Sequence, residues 1–358
     1  MNSECKLLDK KETDQHDSRI IGLDILRIIS SIGITMIHFL GYTSVFSVID
    51  SLSVNGILAY IFNIFSRTSV NIFVIISGYF LARSKFKWGR VLLVAGETLF
   101  YSITLFAVGV AFNLESMSLS VAIKSIIPII SRHYWFATSY VVLYLISPFI
   151  NKMIAMLDEK EYTILVLGAA VLFSAWTTFA WFSEGALTGG KTSILWLTYM
   201  YLIGGYFRMY PPKIKNSVLL ITGGIIIILL VLYQYLKGKV AFLSNFAFLE
   251  EDSLFSLYLS AALFLLFLNI KSKNEGLNKF ITAVASASFG VYLIQEHCMF
   301  RNWLWLEVVR SNTMVNNWYF FPVFVLVIIL LFALAFIVSK VYKLLFKFVE
   351  NQIKKKQD

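Results

Sequence analysis

Residues 19–39 read RIIGLDILRIISSIGITMIHF. The run stays apolar for about twenty positions, the length a helix needs to cross a hydrocarbon core of ~30 Å. It is therefore read as a membrane span over residues 20–44. Asp24, Arg27 and His38 interrupt it. Asp24 and Arg27 stand three residues apart and can pair on one helix face. Arg27 and His38 are eleven apart, which at 100° per residue leaves them only about 20° out of line. Asp24 lies about 40° from His38 in the other sense, so all three share one stripe. At 1.5 Å per residue, Arg27 and His38 are separated by about 16 Å along the axis. Ionisable groups at membrane depth cost about 2.5–3.5 kcal/mol each on insertion scales, so they mark function or a buried pair. Spacing alone leaves two readings open. Asp24 and Arg27 form a structural ion pair with His38 as a hydrogen-bonded packing residue, or the stripe carries a cation near one mouth and a working imidazole deeper in.

The same apolar texture recurs along the chain. Further spans are read at 57–82, 91–113, 134–150, 161–182, 192–210, 216–236, 253–270, 281–299 and 319–341, and the fourth is short enough to begin near Val121 instead. Hydrophobic residues make up 58% of the 358 positions and charged residues 15%, against roughly 45–50% and 25% in a soluble protein. A soluble domain has no way to cover that much apolar surface. The expected fold is an all-α polytopic integral membrane protein, a bundle of about ten transmembrane helices. Residues 1–19 form a polar tail, 20–341 the membrane domain and 342–358 a basic tail. The polar start makes a cleavable leader unexpected. Ten spans of ~20 residues leave no room for a soluble catalytic domain, so any chemistry belongs to the bundle or its edges.

Charge placement orients the bundle. With ten spans, 22 basic residues fall on the side of the termini and 7 on the other, which puts both termini in the cytoplasm by the positive-inside rule. The net charge of +10 thus follows topology and does not point to nucleic acid. The expected location is the cell (cytoplasmic, or plasma) membrane, with lipid as the surroundings. Cys5 and Cys298 stand without a CxxC pattern, so neither a disulfide framework nor a metal site is expected.

Three other stretches carry polar residues where lipid or an interface is expected. Residues 67–90 read RTSVNIFVIISGYFLARSKFKWGR. Ser77-Gly78 suits a close helix crossing, and Arg83, Lys85, Lys87 and Arg90 form a cationic cluster. That cluster is read either as plain topology or as a holder of phosphate at the cytoplasmic mouth. Arg67 lies well inside the second span, and Glu97 in the third is its expected partner by depth. Residues 133–151, HYWFATSYVVLYLISPFIN, place His133, Tyr134 and Trp135 at the outer interface, with Pro148 expected to bend or end the helix. Residues 286–300, SASFGVYLIQEHCMF, place Glu296 and His297 near the outer face, either as a water-exposed pair or as a catalytic one.

Taken together these pieces resemble the membrane-bound acyltransferase family 3, the O-acyltransferases of surface polysaccharides, peptidoglycan and lipid-linked sugars. The matching elements are Asp24-Ile-Leu-Arg27 with His38 eleven residues on, NIFVIISGYFL, the basic segment ending at Arg90, YWFATSYVVLYLISPFIN, and SFGVYLI. The resemblance implies roughly ten helices, an acyl-CoA donor (usually acetyl-CoA) taken from the cytoplasm, and a hydroxyl acceptor on the outer side. By matching position, His38 is the catalytic histidine and Arg27 the first-helix arginine. Where the family often has Arg-x-x-Arg, this chain has Lys87 and Arg90, and lysine keeps the charge but loses the bidentate fork. Many relatives carry histidine where Gln295 stands, which weakens the case for the ninth span in catalysis.

The expected function is acyl transfer, most simply of acetyl, from acyl-CoA to a hydroxyl of a saccharide or lipid-linked sugar. The donor's phosphates are assigned to Arg27, Arg90 and Lys87, with Arg67 as a further binding cation. His38, with Asp24 on its stripe, is assigned the catalytic role as general base or acyl-carrying nucleophile. A multi-span transporter or flippase for an envelope precursor is the chief rival, and a scaffold for polymer assembly the other; the scaffold leaves His38, Arg27 and Asp24 unexplained.

Overall fold

The structure, a computed structural model, describes residues 19–180 and 189–354. The tail before Arg19 and the last four residues lie outside them. The described chain is helical, and no strand occurs among these residues. Eight helical segments are long and apolar enough to cross a membrane: Ile21–Gly41, Val54–Leu81, Trp88–Ala111, Trp135–Ile154, Glu159–Phe179, Asn216–Lys237, Glu275–Glu296 and Phe320–Phe348. The expected sixth and eighth spans are helices of only 16 and 15 residues, Ile194–Met209 and Leu254–Leu268. At 1.5 Å per residue these are about 24 Å and 22 Å long, against a hydrocarbon core of ~30 Å. Both lie among other helices and contribute heavily to the main apolar core.

We label the helices that build the site α1 (Ile21–Gly41), α2 (Val54–Ser66), α3 (Ser69–Leu81), α4 (Trp88–Ala111), α5 (Trp135–Ile154), α6 (Ile194–Met209), α7 (Leu254–Leu268), α8 (Glu275–Ala285), α9 (Ser288–Glu296) and α10 (Phe320–Lys354). Helix α1 is central and contacts α2, α3, α7, α8, α9 and α10. The crossing expected at Gly78 is the close approach of α3 and α6. A Cβ on Gly78 would sit 2.2 Å from the Tyr201 carbonyl oxygen, and one on Gly204 would sit 2.1 Å from that of Ile75. Backbone meets backbone there, and only glycine permits it.

Several boundaries differ from expectation for local reasons. Helix α5 runs through Pro148 without ending. Proline deprives the carbonyl four residues back of its donor, and the Ser147 hydroxyl takes that place, donating to the Tyr144 oxygen at 2.7 Å. The second span is two helices, with Arg67 and Thr68 at the join. The ninth span breaks at Ser286–Ala287 and stops at Glu296, because His297 turns extended and caps the next short helix, its Nδ1 accepting from the Met299 N–H at 3.2 Å. Helix α10 continues past residue 341 to Lys354, so most of the expected basic tail prolongs the last helix. Residues 119–126 form a separate short helix and α5 starts at Trp135.

Candidate active site

At the N-terminal end of α1, the buried Asp24 carboxylate is fully engaged. It accepts from Arg27 at 2.8 Å, from Arg19 at 2.5 Å and from Thr282 of α8 at 3.2 Å. These bonds hold the Arg27 guanidinium, which also lies over the Phe80 ring at 5.5 Å. Arg27 borders a cavity of 440 Å³ whose wall includes Arg90, Ser84, Tyr140 and Tyr144. Arg90 donates to the Ser84 hydroxyl at 3.4 Å. Lys87 borders no part of this cavity. Its side chain is exposed, and its backbone N–H donates to the Tyr144 hydroxyl at 3.1 Å.

A second cavity of 300 Å³ shares Arg27, Ser77, Val94 and Tyr140 with the first. A third, of 230 Å³, shares Ile34, Phe136 and Tyr292 with the second and is bordered by His38. The three follow the α1 stripe from the arginines to the imidazole. Their common walls come from α1, α3, α4, α5 and α9, so the route exists only once the bundle is packed.

At the other end of α1, His38 is joined by a residue from α9. Its Nε2 lies 3.0 Å from Glu296 Oε1, and the Tyr42 hydroxyl donates to the same oxygen at 3.3 Å. Glu296 is 8% exposed, which removes the water-exposed alternative for it. A carboxylate acceptor places the imidazole proton on Nε2 and the lone pair on Nδ1. Nδ1 is buried and has no protein partner. The fully buried Trp305 packs edge-on against the imidazole at 6.0 Å and stacks on Tyr42 at 6.3 Å. It is thus a wall of the site, whereas Trp318 is exposed. A wide helical turn over Trp303–Val309 delivers it.

Asp24 is held at the arginine end, fourteen residues from His38 and so about 21 Å along the axis; it does not reach the imidazole. Arg67 is not at the arginine end. It borders the His38 cavity, and its partner is Glu251 at 2.9 Å. The expected Glu97 pairing is thereby corrected: Glu97 accepts from Ser339 of α10 at 2.9 Å, because α4 packs against α10 and the join between α2 and α3 packs against the chain before α7. Gln295 faces α1 at Thr35, 3.4 Å away, so the next residue along α9 reaches the histidine. The sequence places Glu296 beside His297 near the outer face as a water-exposed or catalytic pair; its contact with His38 across the bundle has no sign in the spacing.

The fold also brings His133 and His297 together with Cys298, their ligand atoms within 4.8 Å of one another. Both nitrogens of His297 already serve the backbone, Nδ1 toward Met299 and Nε2 toward the Ser102 carbonyl at 3.2 Å. Burial, then Lys124 and Arg301 nearby, pushes His133 down to about 4.

The chain was compared with known proteins. A family model described as an acyltransferase domain, of the membrane-bound acyltransferase family 3, matches residues 20–340. Neither a curated protein nor a solved structure matches the chain.

Proposed function

Since the chain belongs to the membrane-bound acyltransferase family 3, an acyltransferase with multiple membrane-crossing helices, we propose that it moves an acyl group, most simply acetyl, from acyl-CoA to a hydroxyl of a saccharide or lipid-linked sugar. In this reading the arginine end of the bundle faces the cytoplasm and the His38 end faces outward, in the cell membrane. The observation that carries it is the succession of three abutting cavities from Arg27 and Arg90 to His38.

Arg27 and Arg90 hold the donor's phosphates through charge-assisted hydrogen bonds, and Asp24 fixes the Arg27 fork. Lys87, on the rim, contributes long-range charge only. The middle cavity takes the thin arm that ends in the thioester. Glu296 holds the Nε2–H tautomer, so the Nδ1 lone pair accepts the proton of the incoming hydroxyl. The hydroxyl oxygen forms the ester bond to the acyl carbon as the C–S bond breaks. His38 then returns the proton to the departing thiolate sulfur, and no net proton is consumed. As an imidazolium forms, Glu296 stabilises it, and Tyr42 keeps the carboxylate oriented. Fixing donor and acceptor on either side of one imidazole supplies a further share of the rate, up to roughly 7–11 kcal/mol for a well-aligned pair.

The test is thermal unfolding of the purified chain with acetyl-CoA, with CoA and without ligand. Donor at 100 times its Kd stabilises the fold by about 2.7 kcal/mol. The expected result is a dose-dependent rise in midpoint that needs roughly 10- to 150-fold more donor in Arg90→Ala. No shift at saturating donor refutes the reading and favours a transporter.

A further inference from the structure

Resting on the acyl-transfer reading, we propose that the 230 Å³ cavity beside His38 is the acceptor subsite and that it selects a single uncharged sugar ring over one carrying a carboxylate or phosphate. Its position requires the first part. The donor route enters through the Ile34, Phe136 and Tyr292 wall, so the hydroxyl must arrive from the remaining side. Besides that shared wall, the cavity is bordered by Trp135, Asn71, Arg67, Lys191 and Glu251. A tryptophan and several hydrogen-bonding side chains in one lining suit the two kinds of surface of a pyranose, an apolar C–H face and a rim of hydroxyls. At 230 Å³ the volume lies below the ~300–1,000 Å³ of sites for drug-sized ligands, which suits one ring inside the cavity.

Selectivity follows from the charges. Among the described residues, each cation at this cavity is already met by a carboxylate. Arg67 contacts Glu251 at 2.9 Å, and Lys191 contacts Glu250 at 2.9 Å and Glu251 at 2.5 Å. Lys191 lies outside the spans, and although burial lowers its pKa, attraction to Glu251 and Glu250 raises it overall; the ammonium stays charged. The Glu251 backbone is pinned as well, its carbonyl accepting from Asn71 Nδ2 at 2.7 Å, while Asn71 Oδ1 accepts from Trp196 at 2.9 Å. An anionic ring would have to displace a carboxylate fixed at both ends or sit beside it unpaired. A neutral ring meets neither cost. Its oxygens can accept from Arg67 Nε, which is buried without a partner, and from Lys191, while its hydroxyls donate to Glu251.

The experiment offers the full chain in nanodiscs matched pairs of methyl hexosides and methyl hexuronides, with acetyl-CoA, and reads the acetyl ester by mass. Esters on neutral rings, formed at least about tenfold faster than on their uronides, support the proposal. Glu251→Gln leaves surplus positive charge and should move that ratio toward the uronides by about tenfold. Arg67→Met should raise KM for the sugar while KM for acetyl-CoA holds. Stabilisation by acetyl-CoA serves as the folding control for both variants. Equal or faster esterification of uronides overturns the selectivity, and a rise in acetyl-CoA KM in Arg67→Met returns Arg67 to the donor. No ester on any neutral ring while acetyl-CoA still stabilises the protein overturns the subsite and leaves the donor reading standing. No response to acetyl-CoA in the wild-type chain overturns the acyl-transfer reading itself.

Discussion

Replacing Glu296 with glutamine changes one charge and almost no shape. The amide oxygen can still accept from His38 Nε2 across the 3.0 Å gap, so the tautomer persists and Tyr42 keeps an acceptor. What disappears is the negative charge beside the imidazolium that forms as the hydroxyl is deprotonated. Both partners are largely buried, with His38 14% and Glu296 8% exposed, so solvent screens the pair poorly. A hydrogen bond to a charged partner contributes about 1.5–3 kcal/mol, against about 0.5–1.5 for a neutral one. The expected loss of about 1–2.5 kcal/mol corresponds to roughly a 5- to 70-fold fall in kcat at 1.36 kcal/mol per decade. Initial rates of CoA thiol release measure it, with acetyl-CoA affinity followed in parallel and expected to hold. Glu296→Ala should fall further, since nothing then selects the Nε2–H form. An unchanged kcat in Glu296→Gln would refute the assignment of Glu296 as the residue that positions and stabilises His38.

Four further outcomes can be checked. Arg90→Ala, which removes a cation from the cavity wall, should weaken acetyl-CoA binding by roughly 10- to 150-fold, the value of a charge-assisted contact, whereas Lys87→Ala, a charge off that wall, should cost about fivefold at most; titration of each variant reads the difference. Gly78→Ala should lower the unfolding midpoint through about 1–3 kcal/mol of overpacking, because its Cβ meets the Tyr201 backbone, whereas Gly224→Ala, where a Cβ meets nothing within 4 Å, should not. Asp24→Asn should raise the donor's Kd without changing the hydrogen bond at His38, since it acts through Arg27; donor titration alongside the histidine's NMR signals checks both. Asp252 lies outside the spans, and burial, reinforced by Glu250 and Glu251, raises it from 3.8 to about 6. The folded state then holds a proton that the unfolded state releases, so this group's stabilisation is present below pH 3.8 and is lost as pH rises through about 6. Asp252→Asn should remove up to about 3 kcal/mol of that pH dependence, seen as a smaller difference in unfolding midpoint between pH 4 and pH 7 than in the wild-type chain.

What could be read from the residues was what local geometry carries. The Asp24–Arg27 pair is an i,i+3 contact, and the placement of His38 on their stripe follows from helical periodicity alone. The Gly78 crossing was legible because small residues have few other uses in a span. The partners of His38 and Arg67 were not legible. Glu296 lies 258 positions after His38 and Glu251 lies 184 after Arg67, and depth in the membrane does not say which helices are neighbours. Depth matched Arg67 with Glu97, but packing separated them. Pro148 left bending and ending both open; the helix does not end there, because the compensating donor Ser147 lies beside it, legible only through the hydrogen bond it makes.

The most direct test of the account is the rate of CoA release by His38→Ala, measured with its acetyl-CoA affinity on the same preparation. Donor affinity equal to that of the wild-type chain, with transfer slowed by about 10²- to 10⁴-fold, the usual contribution of a positioned base, is the predicted result. Undiminished transfer would contradict it, and the chemistry would then have to be sought away from the His38–Glu296 pair.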